Sequence, residues 1–412
     1  MNPSTVPSDR PSWQTPGIVI LAACLVAAIG FGVRSTLGLF LEPMTEARGW
    51  TRENFGLALA VQNLFWGLSL PLAGMLADKW GSTRVIAFGA VVYAFGLYGM
   101  ALAESPTMLY WTAGVLSGIG IAFSAFSIAM AAMVRVVGPE RRSLVLGLGT
   151  AAGSFGQVVF SPLAQGLIES VGWNDGLVWL ALITLFLLPL SFALFGLSGK
   201  SGASPNTVDQ SIREALGEAF SHRGYVLLTL GFFVCGFHVA FITVHFPAYV
   251  SDLGLNARVG AYSIALIGLF NIVGSFAAGL IGQRYSKKSS LSLIYLLRSA
   301  TILCLLLLPK TDIVIYGFAA IMGVLWLSTV PLTTGIVAQV FGVRYMATLF
   351  GIVFLSHQIG SFIGVWLGGR LYDTTGSYDG MWWAGVVMGV VAAAVHWPIN
   401  EKPLARLAPT TA

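Results

Sequence analysis

Apolar runs long enough to cross a bilayer recur along the whole chain, and that recurrence leaves few folds open. They fall at about 17–41, 54–77, 84–103, 107–134, 143–168 and 174–198, then at about 225–250, 258–282, 289–308, 312–340, 346–371 and 380–399. Runs of about 20–25 residues, rising about 1.5 Å per residue as helix, match a hydrocarbon core of roughly 30 Å. Within lipid every backbone polar group needs a partner inside the protein, so such runs are read as helices. Only 9% of the residues are charged, against about 25% in soluble domains, which excludes an ordinary soluble protein. The expected fold is an all-α membrane protein of twelve transmembrane helices. It divides into a six-helix bundle over 1–198, a cytoplasmic linker over 199–224 and a second six-helix bundle over 225–412.

Lysine and arginine set the expected orientation. With the N-terminus inside, fifteen fall on cytoplasmic segments: Arg10, Lys79, Arg84, Arg135, Arg141, Arg142, Lys200, Arg213, Arg223, Arg284, Lys287, Lys288, Arg344, Lys402 and Arg406. Five fall on outer loops: Arg48, Arg52, Arg258, Lys310 and Arg370. This bias obeys the positive-inside rule, predicts both termini in the cytoplasm, and explains the net charge of +5 without nucleic acid. The first sixteen residues lack the charged n-region and short apolar run of a removable signal peptide, so none is expected. Cys24, Cys235 and Cys304 lie inside apolar runs with no metal-ligand or disulfide spacing, and are read as small buried hydrophobes.

Two cations remain within spans, Arg34 and Arg298. Arg34 lies past the midpoint of span one, where a charge costs at least about 2.5–3.5 kcal/mol. It is therefore expected to face a water-filled cavity or a partner. Its planar fork matches a carboxylate with two hydrogen bonds, which marks an anion-binding residue. No Asp or Glu lies in the middle of any span, so nothing acidic repels such a guest. The other intramembrane titratable groups are His238 and His245, seven apart on one face of span seven, and His357 near the middle of span eleven. Histidine titrates near neutral pH and can relay protons in place of a carboxylate. His238 and His245 are the expected proton-coupling residues; Arg34, Gln157, Asn271 and His357 are the expected substrate contacts. Asn63, Ser275, Ser356, Gln358 and Ser361 add neutral polar groups, and Trp66, Phe155, Tyr249, Trp326 and Phe354 are candidate cavity aromatics. Arg298 is expected to hydrogen-bond a neighbouring helix or to reach towards the cytoplasm. His396, Trp382 and Trp383, near the ends of the last span, read as interfacial.

The two halves repeat. GFGVRSTLGLFLEPM (30–44) matches GFHVAFITVHFPAYV (236–250) at an offset of 206. Gly74-Met-Leu-Ala-Asp78-Lys79-Trp-Gly81 recurs at 279–286 as GLIGQRYS. Parallel six-span repeats with a substrate site between them are the plan of major facilitator transporters. The loop carrying Gly74, Asp78, Lys79 and Gly81, with Arg84 after it, resembles the signature loop of that superfamily, which implies a gating role. Within the superfamily the chain resembles the monocarboxylate transporter branch and its bacterial relatives. Arg34-Ser-Thr-Leu-Gly-Leu-Phe-Leu stands where that branch places a lysine before Ser/Thr and an apolar run. The segment 142–156, RSLVLGLGTAAGSFG, is similar to its basic, small-residue-rich entry to span five. The acidic, Trp/Gly-rich opening of span one is missing. The branch's Asp and Arg of span eight are replaced by Asn271 and Ser275, so proton coupling through that pair does not carry over.

The resemblance and the lone Arg34 together imply a secondary transporter of small organic anions, monocarboxylates first, working by alternating access with proton symport. It is expected in a plasma membrane of the bacterial inner-membrane kind, with an organic acid, protons and the bilayer as partners. No cofactor, metal, nucleic acid or obligatory oligomer is expected. Anion exchange of the oxalate/formate kind is the first alternative, because exchange needs no titratable protein group. A drug or cation exporter would present a buried acid, and Gly-Pro where this chain reads Gly153-Ser154-Phe155-Gly156. A transporter-like sensor would carry a signalling domain, and an enzyme a nucleophile–base pair or metal set; neither is seen.

Overall fold

The computed structural model describes residues 13–137, 142–195, 210–342, 344–404 and 406, and almost all of these are helical. The part of the predicted linker over 199–209 lies outside the described residues, as do Arg10, Arg141 and Lys200. Helix α1 spans Pro16–Arg48, α2 Arg52–Trp80, α3 Ser82–Ala101 and α4 Pro106–Val134. A single long stretch, Leu144–Phe192, holds two helices, α5 over 144–171 and α6 over 173–192. They meet at Gly172, whose φ of +85° breaks the helical path at a residue without a Cβ. The second half runs α7 Arg223–Asp252, α8 Ala257–Arg284, α9 Lys287–Leu307, α10 Asp312–Phe341, α11 Met346–Thr375 and α12 Asp379–His396. Among the described residues eleven stretches are thus long and apolar enough to cross a membrane, and the one that folds at Gly172 supplies two of the twelve predicted spans.

Local chemistry sets where these helices start and bend. Thr15, Thr51 and Thr311 each accept a hydrogen bond from a first-turn backbone N–H, the usual N-cap geometry. In α1 the hydroxyls of Ser35 and Thr36 turn back onto the carbonyls of Gly32 and Val33, 2.7 and 2.8 Å away. Such back-bonding bends helices, and a 3-10 turn over Leu37–Phe40 follows. Arg34 sits immediately before this bend. In α4 the helix stops at Phe123 and restarts at Phe126; in α10 it stops at Leu325 and restarts at Thr329.

Two apolar cores result. One gathers buried residues from Val19 to Leu194, joined by Ala240, Val244, Ala248, Ala261 and Val365; the other runs from Ala219 to Ile399. The halves meet where α2 packs along α11 and the α5–α6 stretch along α8. At the end away from the linker they are clasped by charge. Asp373 accepts from the backbone N–H groups of Arg52 and Glu53 at the start of α2, at 3.0 and 2.6 Å. Arg52 forks onto Asp252 at 2.6 and 2.7 Å, Arg258 pairs with Glu169 at 2.6 Å, and Arg370 reaches Glu53 at 3.3 Å. Towards the linker end α2 and α11 part: a Cβ at Gly67 would press on Gln358 at 2.8 Å, whereas one at Gly74, or at Gly351 of α11, would meet nothing within 4 Å.

A short helix over Ile212–Ser221 precedes α7, opened by a Ser211–Glu214 capping box. Its Glu218 accepts from Arg406 of the C-terminal tail at 2.8 Å, and that hydrogen bond holds the carboxyl below its ordinary range.

Candidate functional site

Arg34 is the centre of the site. Its Nη2 donates to Asn63 Oδ1 at 2.7 Å, and its guanidinium carbon lies 4.5 Å from the ring centroid of Trp66, both partners being on α2. The Nε is buried without a partner, and Arg34 forms no ion pair with a carboxylate among the described residues. A cavity of about 20 Å³, lined by Gly30, Phe31, Arg34, Trp66, Ile121, Ser124 and Ala125, opens beside it at the interruption of α4. Here Ser124 turns its own N–H and Oγ back onto the Gly120 carbonyl, at 2.9 and 2.7 Å, so the broken helix caps itself.

The network continues into the second half. The backbone carbonyl of Asn63 accepts from Gln358 Nε2 at 3.0 Å, and Gln358 Oε1 accepts from His357 Nδ1 at 3.0 Å. The His357 ring stacks on Phe354 with centroids 5.6 Å apart, and Phe354 meets Trp66 edge-on at 5.4 Å. Arg34 and His357 therefore belong to one polar and aromatic path across the contact between α2 and α11.

Gln157 and Asn271 stand elsewhere, on the other contact between the halves. Gln157 Nε2 donates to the Ile264 carbonyl at 2.9 Å, and its Oε1 is buried without a partner. Asn271 donates to Ser154 Oγ at 2.9 Å and accepts from Ser275 Oγ and from Leu327 N–H, both at 3.0 Å. In this conformation they hold α5 to α8. His238 and His245 point into the second half: His238 Nε2 donates to the Gly385 carbonyl at 2.8 Å, and His245 Nε2 to the Val365 carbonyl at 2.8 Å. His245 Nδ1 also accepts from Tyr378 Oη at 3.0 Å, and that hydroxyl in turn accepts from Arg52 of the charged clasp at 3.1 Å. Of the loop residues, Gly81 has a φ of +93° and ends α2, Arg84 is exposed, and Lys79 lies 5.9 Å from the Trp80 ring. Gly74 and Asp78 sit on the last two turns of α2.

Arg298 is fully buried and donates from Nε and Nη2 to the Leu325 carbonyl, at 3.2 and 2.7 Å, and from Nη2 to the Trp326 carbonyl. Of its two expected fates, hydrogen bonding to a neighbouring helix is the one found. Two interfacial expectations are corrected. His396 is fully buried, stacked on Tyr295 at 5.0 Å, because Gly231 has no side chain where the imidazole lies. Trp382 is buried among Phe241, Phe246, Tyr249 and Phe318; only Trp383 is exposed. Tyr93, fully buried with an unpartnered Oη, escaped the sequence reading, although it occupies the place of Arg298 at the 205-residue repeat offset. The clasp of Arg52, Glu53, Asp252 and Asp373 escaped too, its one signal being charges of both signs at helix ends.

The sequence pattern of the Major Facilitator Superfamily matches residues 20–365. The chain belongs to that superfamily. The chain is 26% identical over 382 residues to the uncharacterized MFS-type transporter YcxA of Bacillus subtilis, covering 90% of this chain and 91% of the relative. It is 27% identical over 376 residues to monocarboxylate transporter 13 of Rattus norvegicus, covering 88% and 83%. Among solved structures, a bacterial homolog of the human lysosomal transporter Spinster, inward-facing and occupied, superposes with a TM-score of 0.74 at 15% identity over 94% of this chain and 97% of that one. The nucleoside transporter NupG gives 0.71 at 12% identity over 92% and 98%. This superfamily member is therefore a multi-pass membrane transporter of a small molecule, and its family and relatives are transporters, not enzymes.

Proposed function

We propose that this superfamily member carries small organic anions, monocarboxylates first, by rocking two six-helix bundles (1–198 and 225–412) about a site at Arg34. The supporting observation is a partly buried guanidinium whose Nε is buried without a partner, unpaired with any carboxylate among the described residues, on the wall of a cavity between helices. A buried charge demands a counter-charge, and a carboxylate supplies it with two hydrogen bonds. The 27% identity to a protein named as a monocarboxylate transporter agrees with this cargo. The fifteen-to-five cation bias supports cytoplasmic termini, as in a bacterial inner membrane. On that orientation the clasp of Arg52, Asp252 and Asp373 closes the outer side, and the gap at Gly74 and Gly351 faces inward beside the gating loop.

Proton symport is proposed through the histidines, His357 foremost because it shares the path that reaches Arg34, with His238 and His245 behind it. Gln157 and Asn271 are proposed to exchange their bonds between the halves for substrate bonds as the cycle turns. Anion exchange is the second reading, favoured by the lack of any mid-span carboxylate.

The test is uptake of labelled lactate or pyruvate by purified protein in liposomes. Arg34→Ala is expected to reduce uptake to background, and Arg34→Lys to leave a weakened signal because the two-pronged fork is lost. Normal transport by Arg34→Ala would overturn the assignment.

A further inference from the structure

Two buried nitrogen donors on residues that line the cavity, one on Arg34 and one on Trp66, lack a hydrogen bond. Arg34 Nη2 is held by Asn63, while Arg34 Nε and the indole Nε1 of Trp66 are buried without a hydrogen bond. Trp66 is 9% exposed and lines the cavity with Arg34 and Ser124. Its ring face carries the guanidinium at 4.5 Å and its edge meets Phe354, so packing already explains the ring but not the N–H. Buried indole N–H groups usually find an acceptor, and leaving one unpaired is unfavourable. Phenylalanine or leucine would fill the same space without that penalty.

We propose that Trp66 is a specificity-determining residue. Resting on the anion reading above, its Nε1–H donates to a second oxygen of the bound acid while Arg34 holds the carboxylate. The guanidinium carbon lies 4.5 Å from the ring centroid, so the two unpartnered donors belong to one stacked pair on the cavity wall. An oxygen on the carbon next to the carboxylate, as in a 2-hydroxy or 2-oxo acid, is the acceptor this role assigns to the indole. A plain alkanoate of the same size leaves the indole N–H dry and unpaired. A site built to hydrogen-bond a substrate oxygen rejects the analogue that lacks it far more strongly than an apolar pocket rejects a methylene. In this conformation the cavity of about 20 Å³ has room for one water-sized group.

The experiment compares lactate and propionate, which differ by that one oxygen, in liposomes holding wild-type protein or Trp66→Phe, which keeps the aromatic face under Arg34. Wild type is expected to prefer lactate by about tenfold or more, and Trp66→Phe to lower lactate uptake much more than propionate uptake, so that the ratio falls towards one. Thermal unfolding with each acid present reads the same ratio in detergent, as a larger lactate shift in wild type than in the variant. Should Trp66→Phe fail to fold, the wild-type ratio still decides: no preference between the two acids overturns the role of Trp66. An equal fall for both acids in the variant, or no change for either, also overturns it while leaving the anion site standing. If wild type carries neither acid, the anion reading fails and this role fails with it.

Discussion

The two halves each hold an intramembrane arginine beside a broken helix, and they use it in opposite ways. In the second half α10 is interrupted between Leu325 and Thr329, and Arg298 from α9 donates to the carbonyls of Leu325 and Trp326 freed by the break. In the first half α4 is interrupted between Phe123 and Phe126, and there Ser124 bonds back to the Gly120 carbonyl while the Ala125 N–H reaches that of Ala122 at 3.4 Å. At the 205-residue offset the place of Arg298 is held by Tyr93; at 206, the place of Arg34 is held by Ala240. Arg298 thus gives Nε and Nη2 to backbone carbonyls and keeps only Nη1 buried and unpartnered, whereas Arg34 gives Nη2 to a side chain and lines a cavity. A buried charge is a functional candidate only after the backbone around it has been asked for its partners.

The largest effect expected from this contrast is a crossed pair of variants. Arg34→Ala should remove uptake and destabilise the less of the two, because it strands one buried acceptor, Asn63 Oδ1, where Arg298→Ala strands the carbonyls of Leu325 and Trp326. Arg298→Ala should instead lower stability, since each buried carbonyl left without a donor costs about 1–3 kcal/mol. Unfolding in detergent and uptake by the folded fraction separate the two. A stable Arg298→Ala that has lost transport would show that both arginines serve the cargo.

A smaller effect sharpens the same contrast among the histidines. His357 is wired through Gln358 to the Asn63 carbonyl, whereas His238 is wired to Gly385 within its own half. If uptake rises as the outside pH falls, His357→Gln should flatten that profile, and His238→Gln should leave its shape and lower the folded yield. Flattening by His238→Gln alone would move the proton path into the second half. Unchanged profiles in both would favour exchange.

How much of this was legible beforehand follows from physical scale. A bilayer imposes one length on every span, so the long apolar helices, including the pair that meets at Gly172, could be read from apolar runs alone. Arg34 stood out because charge in an apolar run is costly enough to need a reason. Trp66 and Tyr93 were not separable from packing aromatics, since an unpartnered N–H or O–H is a property of the neighbours, not of the residue. His396 and Trp382 misled because their place near a span end suggested lipid headgroups. What buries them is the missing side chain of Gly231 and the rings of Phe241, Phe246 and Phe318, all remote in sequence. Likewise, nothing local to Asn271 or Gln157 reveals that they hold α5 to α8.

The smallest expected effect lies at the turns that the repeat makes equivalent. The α2–α3 turn passes through Gly81 at φ +93°, while the α8–α9 turn has Ser286 at φ −60° and is clamped from outside. There Glu401 accepts from the Lys288 backbone N–H, and Leu404 N–H reaches the Val340 carbonyl at 3.1 Å. Beyond it Arg406 holds Glu218 of the linker helix, so the tail ties the second half's turn to the linker. The Glu218 carboxyl, depressed by that hydrogen bond, stabilises the folded tail at pH above the unfolded carboxyl value of about 4.3. The contribution is lost as pH falls below that value through the folded one, where the unfolded chain no longer binds more protons than the native state. As a half-exposed pair it should be worth at most about 1 kcal/mol. Glu218→Gln is therefore expected to speed hydrogen exchange of the 401–406 backbone modestly at neutral pH and to remove its dependence on mild acid. The α2–α3 turn, which among the described residues shows no contact with the Glu218–Arg406 pair, should not respond. An equal response at both turns would mean that the tail steadies the whole linker end and not the α8–α9 turn.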